Sequence, residues 1–229
     1  VFIKKMYKDQ LDERKLLESY GKILSDKNRS SSLEKAEKKF NLAILDDGLQ
    51  DKKINYNVKI ACFNTSYGIG NRFLLPAGPL RENISTIKDY NAIFLIGEKT
   101  NKKLSLFLRK FNDQLFYSKY LPLNLNQFDR KKKYLYFCGI GNPQEFRNTL
   151  KKYKFKISQK FEFPDHHNFK NEEIDKIKRI ATEKKLEIIT TEKDYKRLSK
   201  NNKKNIKYLK IELKIQNIKK FTNFLKKLI

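Results

Sequence analysis

The chain is 229 residues long and contains no tryptophan, one methionine, two histidines and two cysteines. It also lacks any long apolar run. The longest, Ala92-Ile93-Phe94-Leu95-Ile96, is strand-sized, far short of the ~20 residues that a membrane-spanning helix needs. Lys4, Lys5 and Lys8 interrupt any apolar stretch at the start, so no signal-peptide pattern is expected there. Cys62 and Cys138 each sit inside an apolar strand-like run without metal-ligand spacing. Both are expected to be buried, reduced thiols of a cytosolic protein. His166 and His167 are adjacent, and neighbouring side chains of an extended segment point to opposite faces. With no other histidine to help, they argue against a metal site.

Arginine is scarce as well: nine of the 52 basic residues, against 26 acidic ones, for a net charge of +26. Such a charge invites a nucleic-acid reading, because basic surfaces gain affinity by releasing counterions from phosphate. Specific readers of bases and phosphates, however, lean on the bidentate arginine fork. A chain rich in Lys, Asn and Ile fits compositional drift better than a selected basic face. At 39% hydrophobic and 13% aromatic it is globular, with room for one sizeable domain or two small ones.

Short apolar runs alternate with polar helical stretches, which predicts an α/β fold. Strands are expected over Gly21–Leu24, Leu42–Leu45, Lys59–Phe63, Ala92–Ile96, Tyr134–Cys138, Ile188–Thr190 and Tyr208–Ile211. Helices are expected over Asp12–Tyr20, Arg29–Phe40, Lys102–Lys110, Pro143–Tyr153, Asn171–Glu183 and Ile218–Leu228. Runs with little alternation, such as Asn41–Leu45, suit a parallel sheet covered on both faces. The segment from Asn112 to Arg130 looks strand-poor and carries Pro122. It predicts a domain at 1–111, a linker at 112–132 and a smaller C-terminal α/β domain at 133–229.

Five segments could carry chemistry. Ala43-Ile44-Leu45-Asp46-Asp47-Gly48-Leu49-Gln50 places two carboxylates at the end of a strand, where open α/β sheets bind ligands. That is the Walker-B arrangement for Mg²⁺ on nucleotide phosphates; it also suits a plain Asp-Gly turn. Asn71–Glu82 is a rigid Pro- and Gly-bearing loop ending in Arg81-Glu82. It fits either a substrate with anionic and hydroxyl groups or a surface ion pair. Phe163-Pro164-Asp165-His166-His167 offers a proton-handling histidine or an ordinary loop histidine. Thr191-Glu192-Lys193-Asp194 could contact nucleotide or end a strand. Gly139-Ile140-Gly141-Asn142-Pro143 lacks the third glycine of a dinucleotide fingerprint and fits a tight strand-to-helix turn.

Taken in chain order, the segments, with Leu11-Asp12-Glu13 ahead of them, resemble the tetraacyldisaccharide 4′-kinase family, the lipid A 4′-kinases of Gram-negative bacteria. The resemblance covers essentially all 229 residues. It implies a P-loop-kinase-like parallel sheet with helices on both faces, residues 1–111 being the remainder of the kinase core. It also implies ATP and Mg²⁺ as cofactors and transfer of the γ-phosphoryl group to the 4′-hydroxyl of a lipid A disaccharide 1-phosphate. The family's catalytic pair falls on Asp12, whose carboxylate takes the hydroxyl proton, and His166, which orients it. Asp46 and Asp47 fall on the metal and, with Gln50, on the nucleotide. Glu13, Arg29, Arg81 and Glu82 fall where the family contacts its glycolipid, Arg29 by spacing more than by motif.

The resemblance further implies a peripheral protein at the cytoplasmic face of the inner membrane; no nucleic-acid partner is expected, and of the oligomeric states, which the sequence leaves open, a monomer is favoured. Two positions depart from the family pattern, which reads Gly where Leu11 stands and commonly His where Asp51 stands. No GxxxxGK[ST] segment occurs, and the chain opens on Val1. It is therefore expected to be an N-terminally truncated member that is inactive alone for want of its phosphate loop. The alternatives are a basic α/β nucleic-acid-binding protein and an inactive kinase remnant.

Overall fold

The structure, a computed structural model, describes residues 1–5, 14, 17–98 and 101–229. Two compact units emerge, one of Val1–Asp46 with Pro122–Ile211, the other of Asp47–Leu121 with Glu212–Ile229. The chain is α/β throughout, as its alternating pattern predicts.

The first unit holds two parallel sheets. In one, β1 (Phe2–Lys5) lies between β2 (Ile23–Asp26) and β3 (Ile44–Leu45), and helix α1 (Arg29–Glu37) packs on β1 and β2. The other runs in the order β10 (Ile206–Leu209), β9 (Glu187–Thr191), β7 (Lys133–Cys138), β8 (Lys156–Glu162). Its central strand β7 is apolar at almost every position because both of its faces are covered. Tyr134, Tyr136 and Cys138 pack with Phe146 and Leu150 of α3 (Pro143–Lys152). Leu135 and Phe137 pack on the opposite face with Ile174, Ile177 and Ala181 of α4 (Asn171–Glu183). Those helical residues recur at three- and four-residue spacing, which lines them up on one face. A short helix α5 (Glu192–Arg197) follows β9 directly.

In the second unit, β4 (Ile60–Asn64), β5 (Ala92–Ile96) and β6 (Leu115–Pro122) are parallel, and β11 (Ile211–Ile215) joins β6. Ile93 and Leu95 face Leu104 and Leu108 of α2 (Lys102–Arg109). Ala92, Phe94 and Phe116 face Phe221 and Phe224 of α6 (Ile218–Lys226). The Phe94 and Phe221 rings meet edge to face, 4.8 Å between centroids, a geometry favoured by the ring quadrupole.

Asparagine, one of the residues that mark the compositional bias, has a structural use here. Asn28, Asn101, Asn142 and Asn217 stand at the N-caps of α1, α2, α3 and α6, each accepting a hydrogen bond from a first-turn amide. Each cap is worth ~1 kcal/mol over alanine.

Several sequence expectations change. Asn41–Leu45 is not a strand covered on both faces: only Ile44–Leu45 pairs, at the edge of its sheet, and Leu42 and Ile44 stay half exposed. The segment 112–132 is not strand-poor, since it contains the eight-residue β6. Tyr117, Ser118, Lys119 and Tyr120 interrupt its apolar pattern, and its pairing with β5 makes it a strand. The two compact units meet along the chain after Asp46, after Leu121 and after Ile211. Cys62 is exposed, because it lies on edge strand β4 on the face opposite Ala61 and Phe63. Cys138 is fully buried, and burial, with the Asp194 carboxylate next in weight, pushes its thiol up to about 12. Of the helix expected over 12–20, Arg14, Leu17 and Glu18 are helical. Among the described residues no helix is long and apolar enough to cross a membrane.

A maleimide or disulfide reagent near neutral pH should accordingly modify one thiol in the native protein and two in denaturant. Mass mapping should place the native label on Cys62; equal labelling of both thiols without denaturant would contradict the packing of β7.

Candidate active site

The acidic pair follows β3 immediately. Asp46 anchors the strand end through its amide, which donates to the Ile3 carbonyl at 3.1 Å. Its carboxylate accepts from Lys4 Nζ at 2.7 Å, and the Lys4 side chain is only 8% exposed. A buried ammonium without an acceptor is costly, so Lys4 and Asp46 fix each other. Arg29, at the start of α1, reaches the Asp46 carbonyl at 3.1 Å. The chain then turns sharply, with Asp47 in the left-handed region at φ 53°, a conformation that Asp tolerates better than most residues. Gly48 is buried, its carbonyl accepts from the Tyr56 hydroxyl, and Gln50 stands exposed just beyond.

In the second unit the Asp47 carboxylate meets Arg81 Nη1 at 3.1 Å, both side chains more than half exposed. Arg81 leaves a stiff loop. Asn71 spans it, donating to the Ala77 carbonyl at 2.8 Å and accepting from the Phe73 amide at 3.2 Å. A Cβ on Gly78 would stand 2.4 Å from the Phe73 carbonyl oxygen, so glycine is required there. Glu82 turns the other way and accepts from the Tyr90 hydroxyl at 3.0 Å. Burial, then this carboxylate, raises the Tyr90 phenol to about 12. Arg81 and Glu82 thus separate, one on Asp47 and the other on the loop's own scaffold.

The third cluster gathers at the carboxyl ends of β7 and β9 in the first unit. Asp194 of α5 is fully buried. It accepts from the Thr191 hydroxyl at 2.6 Å, from the Gly139 amide at 3.1 Å and from Arg197 Nη1 at 2.9 Å. Burial pushes its carboxyl up, against the downward pull of these three partners. Arg197 Nη1 also donates to the Gly139 carbonyl at 2.7 Å, while its Nη2 lies 3.4 Å from His166 Nδ1. The other face of the His166 ring has Nε2 3.7 Å from Asp165 Oδ2, and Lys193 Nζ lies 3.9 Å from Asp165 Oδ1. His167 points elsewhere: Glu173 accepts from its Nε2 at 2.9 Å, and it stacks on Phe163.

The structure therefore brings Arg29 to Asp46, Arg81 to Asp47, and Arg197 to His166. Asp12 and Glu13 lie outside the described residues. Lys4 and Arg197 are missed by sequence reasoning, and Asp194 is reached only as the last residue of the Thr191–Asp194 segment, without its buried role. The i, i+3 spacing of Asp194 and Arg197 next to Thr191-Glu192-Lys193 is the one signal that could have exposed this pair. Among the described residues no cluster of three or more His, Cys, Asp or Glu could enclose a metal ion.

A family model described as tetraacyldisaccharide-1-P 4′-kinase, LpxK, matches residues 8–229. The chain belongs to this family. Its members are kinases of lipid A biosynthesis. The tetraacyldisaccharide 4′-kinase of Pelagibacter ubique (strain HTCC1062) is 43% identical over 231 residues, covering 99% of this chain and 74% of that protein. The enzyme of the same name from Rickettsia akari (strain Hartford) is 33% identical over 207 residues, covering 90% of this chain and 63% of that protein. The chain thus spans about three-quarters of the first relative and under two-thirds of the second.

A crystal structure described as the "apo" form of LpxK from Aquifex aeolicus in complex with ATP superposes with a TM-score of 0.71 at 22% identity. It covers 99% of this chain and 78% of that one. This likeness shows the α/β fold of the family's kinases.

Proposed function

We propose that this kinase-family chain serves transfer of the γ-phosphoryl group of ATP to the 4′-hydroxyl of a tetraacyldisaccharide 1-phosphate. The observation that carries this reading is the acidic turn after β3, where Asp46 and Asp47 are each already gripped by a cation, Lys4 and Arg81. Two carboxylates at that place supply the hard oxygens that Mg²⁺ takes together with nucleotide phosphates, so the residues present fit the ion. When bound, Mg²⁺ neutralises charge on the phosphates. Asp46, Asp47 and Gln50 serve the nucleotide side; Glu13, Arg29, Arg81 and Glu82 serve the glycolipid.

In the proposed reaction the 4′-oxygen attacks the γ-phosphorus, the bond to ADP breaks, and Asp12 takes the hydroxyl proton. His166 orients that carboxylate. No GxxxxGK[ST] segment lies in the 229 residues, so the experiment joins the chain to the part of the Pelagibacter relative outside the matched residues. Phosphate transfer from labelled ATP to tetraacyldisaccharide 1-phosphate is expected for the joined protein. Asp12→Asn and His166→Ala should each lower kcat on the order of 100-fold or more, the scale of general-base catalysis. Undiminished turnover in Asp12→Asn would sink the reading.

Because the proposed substrate carries acyl chains, we propose that the chain works as a peripheral protein at the cytoplasmic face of the inner membrane. Support comes from the stiff loop before Arg81, which holds Phe73, Leu74 and Leu75 out in solvent, Phe73 and Leu75 each 62% exposed. Exposed apolar side chains in a strongly basic protein suit an anionic bilayer. Because the chain has no tryptophan, Phe73→Trp gives a clean reporter. With vesicles of phosphatidylglycerol and phosphatidylethanolamine its emission should shift to the blue and be quenched by brominated lipid, while Leu123→Trp on the first unit should not respond. A Phe73→Trp signal indifferent to vesicles would remove this loop from the membrane.

A further inference from the structure

We infer that Arg197, itself aimed by Asp194, is a positioning residue that holds the His166 imidazole in one tautomer, with Nδ1 bare and the proton on Nε2. A guanidinium has donors only and stays charged. The ring nitrogen that faces it, Nδ1 at 3.4 Å, must therefore be the acceptor, and a neutral imidazole that accepts at Nδ1 carries its proton at Nε2. His166 then presents an N–H on the side away from Arg197. An N–H in that place is what a carboxylate partner needs in order to be oriented.

The aim is built rather than incidental. Arg197 Nη1 is held at two points, the Gly139 carbonyl at 2.7 Å and Asp194 Oδ1 at 2.9 Å. Because the group is planar, fixing Nη1 fixes the direction of Nη2. Only 9% of the Arg197 side chain is exposed, and none of the Asp194 side chain. Asp194 is in turn fixed by Thr191 and by the Gly139 amide. Lysine could keep the charge beside Asp194 but could not supply a second, divergent donor at a set angle. His166 is constrained from its own backbone too: φ is 58°, and its amide donates to Asp165 Oδ1 at 2.9 Å. The Thr191-Glu192-Lys193-Asp194 segment thereby acquires a role in the site through the buried Asp194.

The catalytic meaning rests on the proposed role of His166; the tautomer does not. Long-range proton–nitrogen spectra of the labelled 229-residue chain, at a pH of about 8.5, roughly two units above the reference value of a free histidine, read it directly. His166 and His167 are the only histidines, and His166→Gln assigns the two sets of signals. In the native chain, His166 should show a bare Nδ1 and a protonated Nε2. In Arg197→Lys the His166 nitrogens should move toward each other as both tautomers populate, while His167, held by Glu173, stays in place and reports an intact fold. A native His166 protonated at Nδ1, or an Arg197→Lys spectrum unchanged at His166, would overturn the inference. Should Arg197→Lys disturb both histidines, the native tautomer alone decides. In the joined kinase the same variant should lower kcat and leave KM. A locked tautomer with no effect on kcat would instead contradict the role given to His166.

Discussion

Asp194 is a carboxylate with no access to solvent, and three segments of the first unit depend on how it is satisfied. It takes the Gly139 amide where β7 ends, the Thr191 hydroxyl where α5 begins and the Arg197 guanidinium one turn later. Removing the Arg197 guanidinium would break a buried ion pair, which costs several kcal/mol, and losing either neutral donor would cost roughly 1–3 kcal/mol. The strand-to-helix turn at Gly139-Ile140-Gly141, the cap of α5 and the direction of Arg197 are consequently set by one group. Gly139 leaves little space for anything else: a Cβ there would stand 3.1 Å from His167 Cβ and 3.2 Å from the Pro164 carbonyl. The loop that carries His166 is thus packed directly against the turn that Asp194 ties down.

Elsewhere a basic chain organises itself around its few acids. With 52 basic and 26 acidic side chains, each carboxylate of the acidic turn has a cation in reach. Lys4 and Arg29 hold Asp46 at its side chain and carbonyl, and Arg81 holds Asp47. In the first pair Lys4 is shielded from solvent and Asp46 half exposed, whereas both partners of the Arg81 pair are exposed and contribute little to stability. That contrast fits a turn fixed at its root and adjustable at its tip. Asparagine, which looks like compositional noise, closes the N-termini of four helices.

How much of this was legible in the sequence varies with what decides each element. Ala92–Ile96 and Tyr134–Cys138 were plain because a central strand buried on both faces must be apolar throughout. The helices of 143–153 and 171–183 were plain because their apolar residues fall on one face. Lys156–Glu162 was passed over: it is an edge strand whose exposed positions are Lys156, Ser158, Lys160 and Glu162, and pairing with β7 rather than composition makes it a strand. Cys62 shows the converse, an apolar run placed at an edge where one face is open. At the site, the acidic turn and the Arg81 loop could be found because aspartate, glycine and proline mark themselves. Lys4 could not, since one lysine among so many carries no signal until the fold buries it against Asp46. Arg197 was hidden in the same way, and only the closure of Asp194 onto Gly139, 55 residues away, gives it a direction.

The most direct test of this account is a double-mutant cycle on the buried pair. Unfolding free energies would be measured for the native chain, Asp194→Ala, Arg197→Ala and the double variant. If Asp194 and Arg197 act as one unit, the double variant should lose far less than the sum of the singles, with a coupling of roughly 1.5–3 kcal/mol. Additivity to within about 0.5 kcal/mol would mean that the two side chains act independently. The clamp on Gly139 and His166 would then not be what holds this site together.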